Sequence, residues 1–250
     1  MKSKLLAVVL LISVSWVAQS EMTLDSVLAD YIEAKGGMEV IKGTKTIKTT
    51  GKMTMGAMEA PFTFIFKSPN KIYTTFELQG MKGIQAFDGE KGWQVMPFMG
   101  KTEPVAMSED ELKQIKEQAD LEGPLVDHES KGIQLELIGN TEIEGTPVIE
   151  IKATKPSGDV VTVFLDKEYM IEVMTRTKMN MMGQEVEAET YFSDYKEVGE
   201  SGYPMAHAMS VKMNGSVVQN LTFEDVALNV DVDDSLFQMP VETEQQEAAE

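Results

Sequence analysis

Cysteine is absent, histidine occurs twice and arginine once in the 250 residues of this chain. Without cysteine there is no disulfide framework, no thiolate zinc site and no thiol nucleophile. His128 and His207 leave little for a metal centre or a catalytic triad, because either needs a converging set of groups. Arg176 stands alone among the cations, the rest being lysine, so bidentate clamps on phosphate or carboxylate are nearly unavailable. Basic residues are scarce altogether: 22 Lys and Arg face 41 Asp and Glu, a net charge of -19. Nucleic-acid backbones, which are bound through neutralised phosphates, are excluded as partners, and anionic membranes repel the chain. Catalytic signatures are missing too. The sequence has no G-x-S-x-G elbow, no H-E-x-x-H and no glycine-rich phosphate loop.

What is present begins with residues 1–20, where Lys2 and Lys4 precede an apolar stretch from Leu5 to Val17 and small residues at Ala18 and Ser20. This is the layout of a secretory signal peptide, with cleavage expected after Ser20. An uncleaved membrane anchor would need about 20 apolar residues and different flanks. Export would leave 20 positive against 41 negative side chains, a net of -21. Glu242 to Glu250 is polar and acidic and is expected to be disordered. Between these ends, residues 21–241 are expected to form one domain.

Apolar residues at 24, 27, 28, 31 and 32 follow the helical period, with Thr23 placed to cap the start and Gly36-Gly37 to end it. From Thr46 the period changes to two. Strands are expected at 46–55, 62–67, 71–78, 83–88 and 92–96, separated by turn signals at 68–71 and 88–92. A capping box, Ser108 with Glu111, then opens a helix carrying Leu112, Ile115, Ala119 and Leu121 before Gly123-Pro124 stops it. Strands resume at 133–138, 147–154, 159–165, 170–178, 184–193, 205–213 and 216–226, the last pair joined by the strong hairpin signal Asn214-Gly215. The expected fold is mainly β: an unclosed antiparallel β-barrel of about 11 strands, with an N-terminal helix and an inserted helix as lid. A sheet this wide curls and encloses space that its own side chains do not fill.

Pairs such as Asp88 and Glu90 read as turn chemistry. Asn214-Gly-Ser and Asn220-Leu-Thr match the glycosylation pattern but sit in expected strands and turns. The distinctive count is 19 Met. Met53, Met55 and Met58 cluster near one hairpin, Met96, Met99 and Met107 precede the inserted helix, and Met170, Met174, Met179, Met181 and Met182 crowd a later one. Three readings compete: a thioether copper site, an adaptable lining for greasy ligands, and core filling. The wide sheet favours the lining.

Several strings, in this order and spacing, resemble the LolA-like family of outer-membrane lipoprotein-sorting proteins. They are Tyr31-Ile-Glu-Ala-Lys-Gly-Gly37, Phe87-Asp-Gly-Glu-Lys-Gly-Trp93, Gly123-Pro-Leu125, Gly139 with Gly145, Phe164-Leu-Asp166 and Asp233-Asp-Ser-Leu-Phe237, over residues 24–240. The resemblance implies a half-barrel whose hydrophobic cavity shelters lipoprotein acyl chains in the periplasm, and transport partners at the inner and outer membranes. It also implies an early-strand arginine that latches the lid, but residues 46–78 contain none; Lys48, Lys52 and Lys67 are cations in that stretch. The expectation is therefore a monomeric periplasmic carrier of lipid or lipoprotein acyl chains, not an enzyme, with no cofactor and no metal. The expected lipid-binding residues are Met53, Met55, Phe62, Phe64, Phe66, Phe76, Leu78, Trp93, Val95, Leu112 and Ile115. A cell-envelope lipoprotein sensor and a hydrolase using His128 or His207 are the alternatives.

Overall fold

The computed structural model describes residues 22–181 and 184–240, so the expected leader 1–20, the tail 242–250 and Met182 lie outside the described residues. Helix α1 spans Leu24–Ala34 and begins where expected: Thr23 Oγ1 accepts from the Ser26 N–H at 3.2 Å, and the Thr23 N–H donates to Ser26 Oγ at 3.1 Å. The two glycines do not end helical structure. Gly36, at φ +91°, turns the chain into a second short helix, α2, over Gly37–Gly43.

Thirteen strands follow, with alternating burial. These are β1 Thr46–Met55, β2 Met58–Lys67, β3 Lys71–Leu78, β4 Met81–Phe87, β5 Gly92–Met96 and β6 Lys101–Ala106, then helix α3 at Glu109–Gln118. After it come β7 Gln134–Ile143, β8 Thr146–Thr154, β9 Val160–Asp166, β10 Glu172–Met181, β11 Gln184–Val198, β12 Tyr203–Met213 and β13 Ser216–Leu228. The fold is mainly β and the sheet is not closed, as expected. Its count of strands exceeds the expected 11, most plainly at β6. Pro104 argues against a strand, yet β6 is an edge strand whose pairing with β5 shifts register between Gln94 and Met96, where a missing N–H costs little.

The sheet order is β6-β5-β4-β3-β2-β1-β13-β12-β11-β10-β9-β8-β7, with every neighbouring pair antiparallel. Two meanders are thus sewn together by the pairing of the first strand with the last, from Ile47↔Leu228 to Thr54↔Asn220. The two edges, β6 and β7, are consecutive in sequence, and α3 lies in the connection between them. The expected Asn214-Gly215 turn is present with both residues at positive φ, +47° and +79°, the geometry whose twist matches the flanking strands.

Helices cover two separate parts of the inner face. α1 and α2 bury Val27, Leu28, Tyr31 and Ile41 against Ile149 and Ile151 of β8 and Val163 and Leu165 of β9. α3 buries Ile115 and Ala119, with Leu112 alongside, against Ile72 and Phe87. Between these seats the inner cluster of Met53 on β1, Phe62 on β2 and Leu221 and Phe223 on β13 includes no helix residue among the described residues. There Gly51 sits where the β1–β13 register shifts, and Phe62 lies opposite it on β2.

A Cβ at Gly51 would be driven into the Thr222 carbonyl oxygen, with the Phe62 ring 3.0 Å away on the other side. Backbone cannot swing aside as a flexible side chain does, so Gly51→Ala is expected to destabilise by at least the 1–3 kcal/mol typical of overpacking. A urea unfolding midpoint equal to that of the parent protein would contradict this.

Candidate functional site

Between the two helical seats lies a cavity of about 800 Å³. Its walls are the inner-facing positions of the central strands, selected by the period of two. Ile47, Thr49, Met53 and Met55 come from β1, Phe64 and Phe66 from β2, and Ile72, Thr74, Phe76 and Leu78 from β3. From the other meander come Thr190 and Phe192 of β11, Met205, Ala206, Met209 and Val211 of β12, and Leu221 and Phe223 of β13. The aromatics interlock: Phe62 stacks on Phe64 at 4.4 Å between centroids, and Phe223 meets Phe62 edge-on at 5.5 Å.

Of the residues expected to bind lipid, Met53, Met55, Phe64, Phe66, Phe76 and Leu78 line this cavity. Phe62 belongs to the same apolar cluster but lies buried over Gly51, behind the lining. Leu112 and Ile115 sit in the seam beneath α3 with Phe87 and Met107, outside the lining. Trp93 and Val95 are on the opposite face of the sheet. Phe87 pairs with Gly92 and Ala86 with Trp93, so the inner position after the Asp88–Lys91 turn falls to the glycine and the indole points outward. There its Nε1 donates to the Phe237 carbonyl at 3.0 Å, under the C-terminal segment. Trp93 is therefore no reporter of the cavity.

The methionines divide by environment rather than gathering at one point. Met53, Met55, Met205 and Met209 line the cavity, Met107 packs under α3, and Met174 is buried in a cluster with Val148 and Phe164. Met58 and Met99 are exposed at hairpin tips. Among the described residues, no group of three or more His, Asp or Glu side chains converges to hold a metal ion. His128 Nδ1 faces the Ile133 carbonyl at 3.2 Å and His207 Nδ1 faces the Met205 carbonyl at 3.0 Å. Arg176 has a structural role: it stacks over Phe164 at 5.1 Å and donates twice to Glu189 Oε1, at 3.1 and 2.9 Å.

Sequence reasoning overlooked a polar group at one end of the cavity. Lys35, the one cation among the described lining residues, stands beside Glu172, Tyr195 and Tyr203. Its Nζ is 3.9 Å from Glu172 Oε2 and 5.1 Å from the Tyr203 ring centre. Tyr31 Oη donates to Glu172 Oε1 at 3.0 Å, and Tyr195 Oη to the Glu172 carbonyl at 2.7 Å. Burial and the neighbouring Glu172 carboxylate push the Tyr31 hydroxyl well above its ordinary range, and the same two causes raise Tyr195. Burial works against the Lys35 ammonium, but Glu172 outweighs it and holds Lys35 above its ordinary value. The signal was readable: Lys35 follows Tyr31 by four and Leu28 by seven, on the face α1 buries.

None of the early lysines supplies a latch. Lys52 pairs with Glu59 and Glu224, and Lys67 with Asp234, on the side away from Thr49 and Met53. Lys48 is exposed on that same side. α3 is fastened instead from both flanks. Lys101 of β6 reaches Glu111 at 3.0 Å, while Asp159 and Lys155 at the β8–β9 turn meet Lys113 at 2.8 Å and Glu117 at 3.3 Å.

No family model matches the chain, and no curated protein matches it. Solved structures do. A LolA superfamily protein from Nitrosomonas europaea superposes with a TM-score of 0.58 at 12% identity, over 87% of this chain and 98% of the other. The fold is LolA-like. A structure described as a putative outer membrane lipoprotein-sorting protein domain, from Vibrio parahaemolyticus, gives 0.57 at 13% identity over 86% and 97%. A DUF1329 family protein from Desulfovibrio piger gives 0.57 at 10% over 86% and 97%. On this LolA-like frame the described ion pairs that fasten α3 use lysine, which makes point contacts rather than forked ones.

The lid fastenings respond to acid. The Ser108 backbone N–H, at 2.8 Å, then the Gln94 amide and, more weakly, Lys101 pull Glu111 from 4.5 down to about 2. Lys113 and Ser157 likewise lower Asp159. A depressed carboxylate contributes stability that is complete above its unfolded value and is lost as pH falls through the folded one. Amides of α3 should therefore lose protection between about pH 4.5 and pH 2, before the strands do. Hydrogen exchange corrected for intrinsic rates measures it, with Glu111→Gln showing the looser helix already at neutral pH. Protection of α3 that stays level down to pH 2 would count against the fastening.

Proposed function

We propose that the protein is a cell-envelope carrier that holds the acyl chains of a lipid or lipoprotein in this cavity and moves them through the periplasm toward the outer membrane. The observation that carries the reading is a cavity of about 800 Å³ walled by Phe, Met, Leu and Ile and left open between two helical covers. At roughly 30 Å³ for a methylene-sized group, it takes about 25 such groups, one long acyl chain with room to spare or two shorter ones.

A chain of about 15 methylenes gains on the order of 12 kcal/mol on leaving water, so it does not cross an aqueous compartment unaided. A carrier must take up that chain and also release it. Four methionines in the wall favour both, because a flexible thioether surface adapts to cargo without the tight shape fit that would trap it. Histidines facing backbone carbonyls rather than carboxylates support binding rather than hydrolysis as the task. The large negative charge keeps a loaded carrier soluble and away from anionic bilayers between encounters.

Native mass spectrometry of protein purified from the envelope should show bound lipid mass that is released on unfolding. Thr190, a half-buried wall residue, gives the matching variant. Thr190→Trp should lower the amount of lipid retained by several fold and, unlike Trp93, change its fluorescence when cargo enters. Parent protein that carries no lipid and is not stabilised by added fatty acid or lipoprotein would end the carrier reading.

A further inference from the structure

The cavity is polarised along its length. Met55 and Leu78 end β1 and β3, and Phe98 belongs to the β5–β6 connection, so the antiparallel order puts all three at one end of the sheet. Glu172 and Tyr203 begin β10 and β12, and Lys35 sits with them at the other end. Among the described lining residues the end at Met55, Leu78 and Phe98 carries no charge, its polar side chain being the Gln219 amide, and the other end presents a largely buried ammonium.

The hydrogen-bonding capacity at the polar end is unbalanced. Glu172 already accepts from Tyr31 through Oε1 and from Tyr195 through its carbonyl. Lys35 has three N–H donors, of which one meets the Tyr203 hydroxyl, and its carboxylate neighbour is 3.9 Å away, beyond hydrogen-bond length. The surplus is of donors, so the group that completes the site is an acceptor. Charge narrows the choice further. Lys35 and Glu172 cancel, and a second carboxylate would leave a net negative charge in a low-dielectric pocket, next to Glu172. Asp120, also in the lining, is taken by Lys131 at 2.8 Å and brings no cation to spare.

We propose that Lys35 is a head-group anchor: its ammonium donates to the carbonyl oxygen of a neutral acyl head, an ester or an N-acyl amide, while the chain runs toward Met55, Leu78 and Phe98. This rests on the acyl-carrier reading above and adds to it a class of cargo and an orientation. Free fatty acid shares the acceptor oxygens but brings the extra charge, so it ranks below the ester.

The test uses methyl dodecanoate labelled with carbon-13 at the carbonyl, unlabelled tridecane and dodecanoate, each offered to the parent protein and to Lys35→Met. The expected result is that Lys35→Met binds the ester roughly tenfold more weakly and tridecane as before, because only the ester loses a charge-assisted hydrogen bond. The labelled carbonyl stretch should lie below its alkane-solvent position in the parent protein and return to it in the variant. Should Lys35→Met fail to fold with Glu172 left unpaired, Lys35→Met with Glu172→Met removes both charges together, and the infrared shift in the parent protein stands as an independent measurement. Equal ester affinity with an unshifted carbonyl overturns the anchor while leaving the carrier intact. Dodecanoate that binds more tightly than the ester and loses more on Lys35→Met overturns the neutral head. Failure of the parent protein to take up any of the three removes the carrier reading, and the anchor with it.

Discussion

The pairing of β1 with β13 is the contact on which the rest depends. It joins residues near the two ends of the described chain, Ile47 with Leu228 and onward, and turns two separate meanders into one thirteen-stranded sheet. Without it each meander would have one more open edge and a half-width inner face small enough for a single helix to cover. With it the inner face becomes wider than α1 and α3 together can cover. α1 has 11 residues and α3 has 10, so each spans only about 15 Å of sheet. The cavity is what remains between the two covers, a consequence of element lengths rather than of residues carved away.

That geometry explains why so few polar groups are needed. The lining owes its chemistry to alternation: once Thr49, Met53 and Phe64 face inward, the lysines at 48, 52 and 67 must face outward, where Asp234, Glu59 and Glu224 meet two of them. A cation can enter the void only from a helix laid across it. α1 supplies one at Lys35, whose stem extends the buried stripe of Leu28 and Tyr31 and whose charge is held by Glu172 from the facing strand. The ion pair at the polar end of the cavity thus joins two residues 137 positions apart in sequence, and it is invisible from either element alone.

Much of the frame was legible because local signals agreed with the global fold. The caps at Thr23 and Ser108, the alternation from Thr46 onward and the Asn214-Gly215 turn each specified an element without help from tertiary contacts. Failures occurred where a pairing partner decides. Pro104 is acceptable only because β6 has no neighbour on its outer side, which sequence does not show. Trp93 looked like a cavity residue by bulk, yet the register across the Asp88–Lys91 turn places Gly92 opposite Phe87 and sends the indole outward. A single residue of phase decides between lining and outer face. Leu112 and Ile115 do share one side of α3, and that side packs onto Ile72 and Phe87 to seat the helix rather than facing the cavity.

The lid itself follows from the scarcity of arginine. An arginine fork holds a carboxylate in two places and keeps its charge at any accessible pH, whereas lysine holds at one point. α3 is seated by three apolar side chains and fastened by lysine–carboxylate contacts on both flanks, two of them to the β8–β9 turn. Exposed pairs of this kind are each worth about 1 kcal/mol or less and weaken with salt. A ten-residue helix is also too short to persist without its seat. α3 is therefore held by a small apolar seat and solvent-screened fastenings, and it lies in the connection between the two unpaired edges of the sheet. On the carrier reading proposed above, motion of α3 would widen the void without breaking a strand pair, so loading and release would not compete with the stability of the frame.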